Sequence, residues 1–128
     1  VIGLLAGFVL ATRLLMFGPP SPTVEQARAW ARETLGRGEY ACLNALAEAE
    51  SRWDPTAANP SGAYGIPQAK PADRMAIVAD DYLTNPVTQV RWMVLYSRDR
   101  YGSVCGAAAF ELGWYDREGR LHPGHGWY

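Results

Sequence analysis

Apolar residues recur along this chain at intervals of three and four, the spacing of one face of an α-helix. Val24, Ala27, Ala31 and Leu35 form a first stripe, and Thr23 with Gln26 three residues on reads as a capping box in front of it. Gly36 and Gly38 are expected to end that helix. Tyr40, Leu43, Ala47 and Glu50 form a second stripe, with Leu46 beside it, over a helix from about Glu39 to Arg52. Asp54-Pro55 closes it, because the residue before a proline avoids the helical region. Asn85-Pro86, a cap followed by proline at the first helical position, opens a third helix. Val87, Val90, Val94, Ser97 and Tyr101 repeat along it, and Gly102 ends it. Pro71 to Ala79 is a candidate short helix, and a last one is expected from near Gly106, carrying Ala107 to Leu112. Residues 55–72 are rich in Pro, Gly, Ala and Asn and poor in β-branched residues, so loops with at most a short hairpin are expected there. Gly113 to Tyr128 reads as mostly loop. The pattern predicts a mainly α fold with long, ordered connections and no internal repeat.

The start of the chain is of another kind. Val1 to Phe17 is apolar except for Thr12 and Arg13, and Gly18 to Pro22 follows as a linker. As a helix, residues 1–17 would span roughly 25 Å, slightly short of a ~30 Å hydrocarbon core. A signal anchor is favoured over a signal peptide, since no small-residue cleavage site stands cleanly before Pro19. A buried helix of the domain is the rival reading. The expected organisation is 1–17 as anchor or signal peptide, 18–38 as linker and short helix, and 39–128 as the functional domain.

Composition narrows the class. At 128 residues the chain suits one domain plus a short appendage. The formal net charge of -1 and the lack of Lys/Arg runs give no reason to expect nucleic acid. Cys42 and Cys105 lie far apart without CxxC spacing, so no metal site is expected. They fit one disulfide in an oxidising compartment, or two free buried thiols. Five Trp and seven Tyr are many for this length; most suit core packing, and the rest suit stacking on sugar faces.

The candidate chemistry centres on Glu50. It ends an apolar stripe, and a carboxyl group that loses water on one side favours its neutral form. Trp53, one turn on, is a candidate ring against it. The competing reading is a solvated helix-end acid paired with Arg52. Glu48, two positions back, points to the other side of the helix. After Glu50 comes a Gly-rich loop, Ser61 to Gln68, in which Gly62 and Gly65 let backbone amides turn toward a ligand. Tyr64 adds a ring and a hydroxyl, and Gln68 both donates and accepts. A retained proton beside such a wall suits cleavage of a glycosidic bond. A Gly-rich loop that merely packs the domain is the alternative.

Glu50-Ser51 with Trp53, Asp54-Pro55, Ala58-Asn59 and Ser61-Gly62-Ala63-Tyr64-Gly65-Ile66-Pro67-Gln68 resembles the lytic transglycosylase family with the goose-type lysozyme fold. The likeness is greatest to small secreted actinobacterial domains of that kind. It extends to Tyr40 to Leu43, Thr84 to Trp92, Arg100 to Ala107 and His125 to Tyr128, and so covers about residues 39–128. The resemblance implies a lysozyme-like fold and cleavage of peptidoglycan between N-acetylmuramic acid and N-acetylglucosamine. It assigns Glu50 as the single acid, then base. It places Ser51, Tyr64, Gly65, Ile66 and Gln68 at the sugar groove. The substrate's acetamido oxygen would steady the oxocarbenium-like centre, and its C6 hydroxyl would close a 1,6-anhydro ring. No metal or cofactor is implied.

The chain departs from that pattern in places. Ala47-Glu48-Ala49 replaces a bulkier or basic run, and Ala108 to Gly124 is longer than the usual link to Gly-Trp-Tyr. The family's Ala-Tyr-Asn motif has no clear equivalent, so Trp114 and Tyr115 are taken as nearby aromatic surface. Asp54, Asp73, Asp80 and Asp81 are conceivable second carboxylates, but nothing aligns them. A muramidase and a cell-wall-binding module without turnover are the rival functions. The expected partners are peptidoglycan strands, and the membrane through residues 1–17 if these are retained. The expected state is a monomer outside the membrane, with Cys42 bridged to Cys105 and so tying the Glu50 helix to the end of the long helix.

Overall fold

The structure is a computed structural model that describes residues 18–126. The expected N-terminal apolar helix, and the Trp127-Tyr128 end of the last motif, lie outside the described residues. Among the described residues no helix is long and apolar enough to cross a membrane.

Helix α1 spans Val24–Ser51 and opens on the expected capping box. The Gln26 amide donates to Thr23 Oγ1 at 3.2 Å, and the Thr23 amide donates to Gln26 Oε1 at 2.7 Å. The expected stop at Gly36 and Gly38 is instead a kink. Gly36 alone leaves the helical region, at φ 70 and ψ 175, and the helix resumes behind it. A glycine takes positive φ without a Cβ clash, so the axis turns there without needing a loop. A 3-10 turn covers Ala72–Ile77, inside the range expected for a short helix.

Helix α2 spans Pro86–Tyr101, with Asn85 Oδ1 accepting from the Val87 and Thr88 amides and Gly102 in the left-handed conformation at its end. Helix α3 spans Val104–Leu112 under a Ser103 cap. The three helices pack pairwise. Their shared core holds Leu43, Leu46 and Ala47 from α1, Val90 and Met93 from α2, and Val104 and Ala107 from α3. Ala27 and Ala31, from the first half of α1, are buried in the same core.

The disulfide Cys42–Cys105 joins residues 63 apart in sequence, with Cα atoms 5.0 Å apart. It ties α1 to the first turn of α3, one element beyond the long helix it was expected to reach.

Residues 55–72 form no named strand, only the isolated bridges Ala58↔Tyr64 and Tyr64↔Ala69. The segment after α3, expected as loop, contains an antiparallel hairpin of β1 (Gly113–Tyr115) and β2 (Leu121–Pro123). Trp114 pairs with His122, their rings stacked at 4.1 Å. Asp116 builds the turn by accepting from the Glu118 and Arg120 amides. The chain then folds back on α3. The His125 amide donates to the Phe110 carbonyl and the Gly126 amide to the Glu111 carbonyl, both at 2.8 Å. These bonds satisfy carbonyls that a helix end leaves open. Gly124 permits the close approach, since a Cβ there would collide with the Glu111 carbonyl.

Candidate functional site

Glu50 stands on the last turn of α1, half-buried. Its carboxyl hydrogen-bonds that of Glu111, which α3 brings against it. Burial and the Glu111 charge together push the Glu50 pKa up to about 8. Burial also raises that of Glu111, against the opposing effect of its hydrogen bond with Glu50. Near neutral pH Glu50 therefore keeps its proton, the state a general acid requires.

The dry environment has a different source from the one expected. Trp53 turns to the other side of α1. Its indole N–H donates to Asn44 Oδ1 at 3.0 Å, and the Arg28 guanidinium lies 4.3 Å over its ring. Arg28 also reaches Glu48 at 3.4 Å, so Trp53 belongs to the Glu48 side. The partner of Glu50 is Glu111, which the motifs do not contain. The available signal was an acid inside an otherwise apolar helix, Val-Cys-Gly-Ala-Ala-Ala-Phe-Glu-Leu. Among the candidate second acids, Asp54 caps its own turn through Thr56, and Asp81 accepts from Asn85 and Thr88 at the start of α2.

The structure joins the Gly-rich loop to the end of α1. Ser51 Oγ donates to the Ile66 carbonyl at 2.9 Å. Gln89, fully buried on α2, holds the loop from beneath. Its Oε1 accepts from the Ile66 amide, and its Nε2 donates to the Pro55 and Tyr82 carbonyls. Gly65 has φ +75, and a Cβ there would sit 2.6 Å from Gln89 Oε1. The glycine is thus needed for this buried polar anchor as well as for its backbone angle.

The other expected groove residues are placed unequally. Tyr64 is half-buried and donates its hydroxyl to the Leu83 carbonyl at 2.9 Å. Ile66 is fully buried in the core, and its amide and carbonyl are already bonded to Gln89 and Ser51. Gln68 has φ 50, and its Nε2 donates back to the Ala57 and Gly65 carbonyls. It borders a small cleft of about 70 Å³ with Arg74, Trp92 and Tyr96. From that cleft a row of ring contacts runs Trp92–Tyr96–Tyr101–Phe110–His125 toward the Glu111 helix.

Trp114 and Tyr115 are the middle and last residues of β1. Both are exposed on the hairpin, and Trp114 lines a shallow pocket with Ala41, Cys42, Ala45 and Cys105. Nine residues of helix separate Ala41 from Glu50, which puts the two on opposite faces of α1.

Positive-φ residues other than glycine cluster around this site: Arg52 at 54, Trp53 at 60 and Gln68 at 50. All three flank the junction between the helix end and the loop. Each left-handed conformation costs on the order of 1–2 kcal/mol, so the surrounding bonds must hold the junction in shape.

No curated protein and no solved structure matched the chain. The family model of the transglycosylase SLT domain matches residues 29–115, which include Glu50, the Gly-rich loop and Glu111. With that match over more than half its length, the chain belongs to the transglycosylase SLT domain family.

Proposed function

We propose that the chain is a peptidoglycan lytic transglycosylase in which Glu50 is the catalytic acid and then base. The family supports a glycosidase or transglycosylase acting on peptidoglycan. The observation that carries the finer reading is the retained proton of Glu50, half-buried at a helix end bonded to the Gly-rich loop. Glu50 donates that proton to the glycosidic oxygen leaving the N-acetylmuramic acid. The carboxylate left behind takes the proton of the same sugar's C6 hydroxyl as that oxygen bonds to the anomeric carbon.

Hydrolysis by two carboxylates asks for acids roughly 5 or 6.5–9.5 Å apart, across the sugar. Glu111 is in hydrogen-bond contact with Glu50, which leaves no room for sugar or water between them. This favours intramolecular ring closure over attack by water. The disulfide supports placement outside the membrane, with residues 1–17 as tether or signal peptide.

Digestion of purified peptidoglycan, followed by mass spectrometry, tests the reading. Fragments should end in 1,6-anhydro sugars, one water lighter than hydrolysed ends. Hydrolysed ends would replace it with a muramidase, and binding without cleavage would leave a wall-binding module.

A further inference from the structure

Glu111 is the one acid of α3 and is only 6% exposed. Its Oε2 has no hydrogen-bond partner among the described residues. Its own carbonyl is held by the Gly126 amide, which fixes the end of α3 beside α1. A buried carboxylate is costly unless a cation or a set of donors answers it.

Among the described residues no cation supplies that answer. From α2, Tyr101 interacts with Glu111, and Arg100 lies over the Tyr96 and Tyr101 rings. From the segment after the hairpin, His125 stacks on Phe110 and meets the Phe110 carbonyl through Nδ1 at 2.9 Å. On α1 itself, Glu48 points away to Arg28. Among the described residues no Lys, Arg or His contributes to the shift of either carboxyl. Two touching carboxyl groups without a cation hold one proton between them, because both cannot ionise at close range.

We propose that Glu111 is a positioning residue for Glu50: its buried carboxylate accepts the Glu50 O–H from the core side, so the pair retains one proton and Glu50 meets the glycan as an acid. The inference rests on the reading of Glu50 given above and adds the means by which the proton is held. Glu111 does not touch the sugar. When the glycosidic oxygen comes within reach, the Glu50 O–H breaks its bond to Glu111 and turns to that oxygen, and once the proton has passed two carboxylates are left in contact. Their repulsion makes Glu50 the stronger base for the C6 hydroxyl proton, and its uptake restores the starting pair with no net proton gained or lost.

The test is a ¹³C-carboxyl NMR titration of the full chain, wild type and Glu111→Gln, with the Glu50 signal assigned through Glu50→Gln. The Gln side chain keeps a hydrogen bond and removes the charge. The Glu50 midpoint should fall by about one pH unit or more, and the alkaline limb of peptidoglycan cleavage should move to lower pH with it. In Glu50→Ala, which removes the bond that lowers the Glu111 pKa, the Glu111 midpoint should rise, which reads the coupling from the other side if Glu111→Gln does not fold. Unchanged midpoints in a folded variant would overturn the proposal. The titration needs no turnover. A wild-type protein that shows the coupled midpoints but cleaves nothing would refute the proposed function and leave the pair standing.

Discussion

Glu48 and Glu50 stand two residues apart on one helix and end in opposite surroundings. Glu48 has a side chain 49% exposed and pairs with Arg28, which also covers the Trp53 ring. Glu50 points between α1 and α3, where a second acid and no cation meets it. Two residues of α-helix turn a side chain by about 200°. That rotation alone separates an exposed acid paired with Arg28 from one that keeps its proton to about pH 8. Chemistry in this domain is therefore a property of a helix face. The Glu50 face also receives the Ser51–Ile66 bond and the Gly-rich loop.

The largest break in the comparison is Glu50→Gln. Loss of a general acid costs about 10²- to 10⁴-fold, so release of soluble fragments from purified peptidoglycan should fall by at least about 10²-fold. Normal turnover by Glu50→Gln would remove Glu50 as the acid. The same variant has a stability signature. A carboxyl raised from about 4.5 to about 8 in the folded state stabilises the fold fully below the lower value. That stabilisation is lost as pH rises through the higher one. Wild-type stability should thus decline between those pH values, and the decline should be shallower in Glu50→Gln. Urea unfolding at pH 4.5 and pH 8 measures both slopes; equal slopes would mean that Glu50 titrates normally.

The disulfide tests what keeps the Glu50 face dry. Cys42 and Cys105 close a long loop, so replacing both with Ala should cost about 4 kcal/mol in the chain-entropy view. The bridge ties together the two helices that carry Glu50 and Glu111. Its loss should also move the Glu50 titration toward that of an ordinary glutamate. A stable double variant with the Glu50 midpoint in place would show that packing alone holds the two helices together.

Gly65→Ala attacks the same face from the loop side. The new Cβ meets the Gln89 amide at 2.6 Å and imposes a left-handed alanine. Strain and a displaced bond from the buried Ile66 amide together suggest about 2–4 kcal/mol of destabilisation. Chemical denaturation checks it, and wild-type stability in this variant would mean that Gln89 moves aside freely. Cleavage should also drop, since Ile66 is the loop's link to Ser51.

How much of this was legible in the sequence differs between the same two faces. The stripe Tyr40, Leu43, Ala47, Glu50 placed Glu50 toward the core, and the Gly-rich run marked the loop beside it. Glu111 was not legible in the same way. Helix α3 is apolar on every side, so periodicity could not orient it, and only the lone acid gave a hint. Trp53 was misplaced because helical spacing was extended past the cap. At Arg52 and Trp53 the backbone has already turned to positive φ, so the ring swings toward Arg28. The hairpin escaped because its strands are three residues each and depend on Asp116 and a Trp114–His122 stack that no alternation reveals. Gly36 looked like a stop because a glycine signals both an end and a kink, and only packing on either side decides between them.

The smallest expected effect completes the contrast. Glu48→Gln removes an exposed acid whose ion pair with Arg28 spans 3.4 Å in water-accessible surroundings. Pairs of this kind are worth about 0–1 kcal/mol, so stability should change by roughly 0.5 kcal/mol or less, and less still at high salt. Arg28 keeps its place over Trp53 and its bond to Asn44 without the acid, which is why little should move. Peptidoglycan cleavage should stay within about twofold of wild type. A large loss of activity in Glu48→Gln, set beside a small one in Glu50→Gln, would reverse the assignment of the two faces and with it the location of the site.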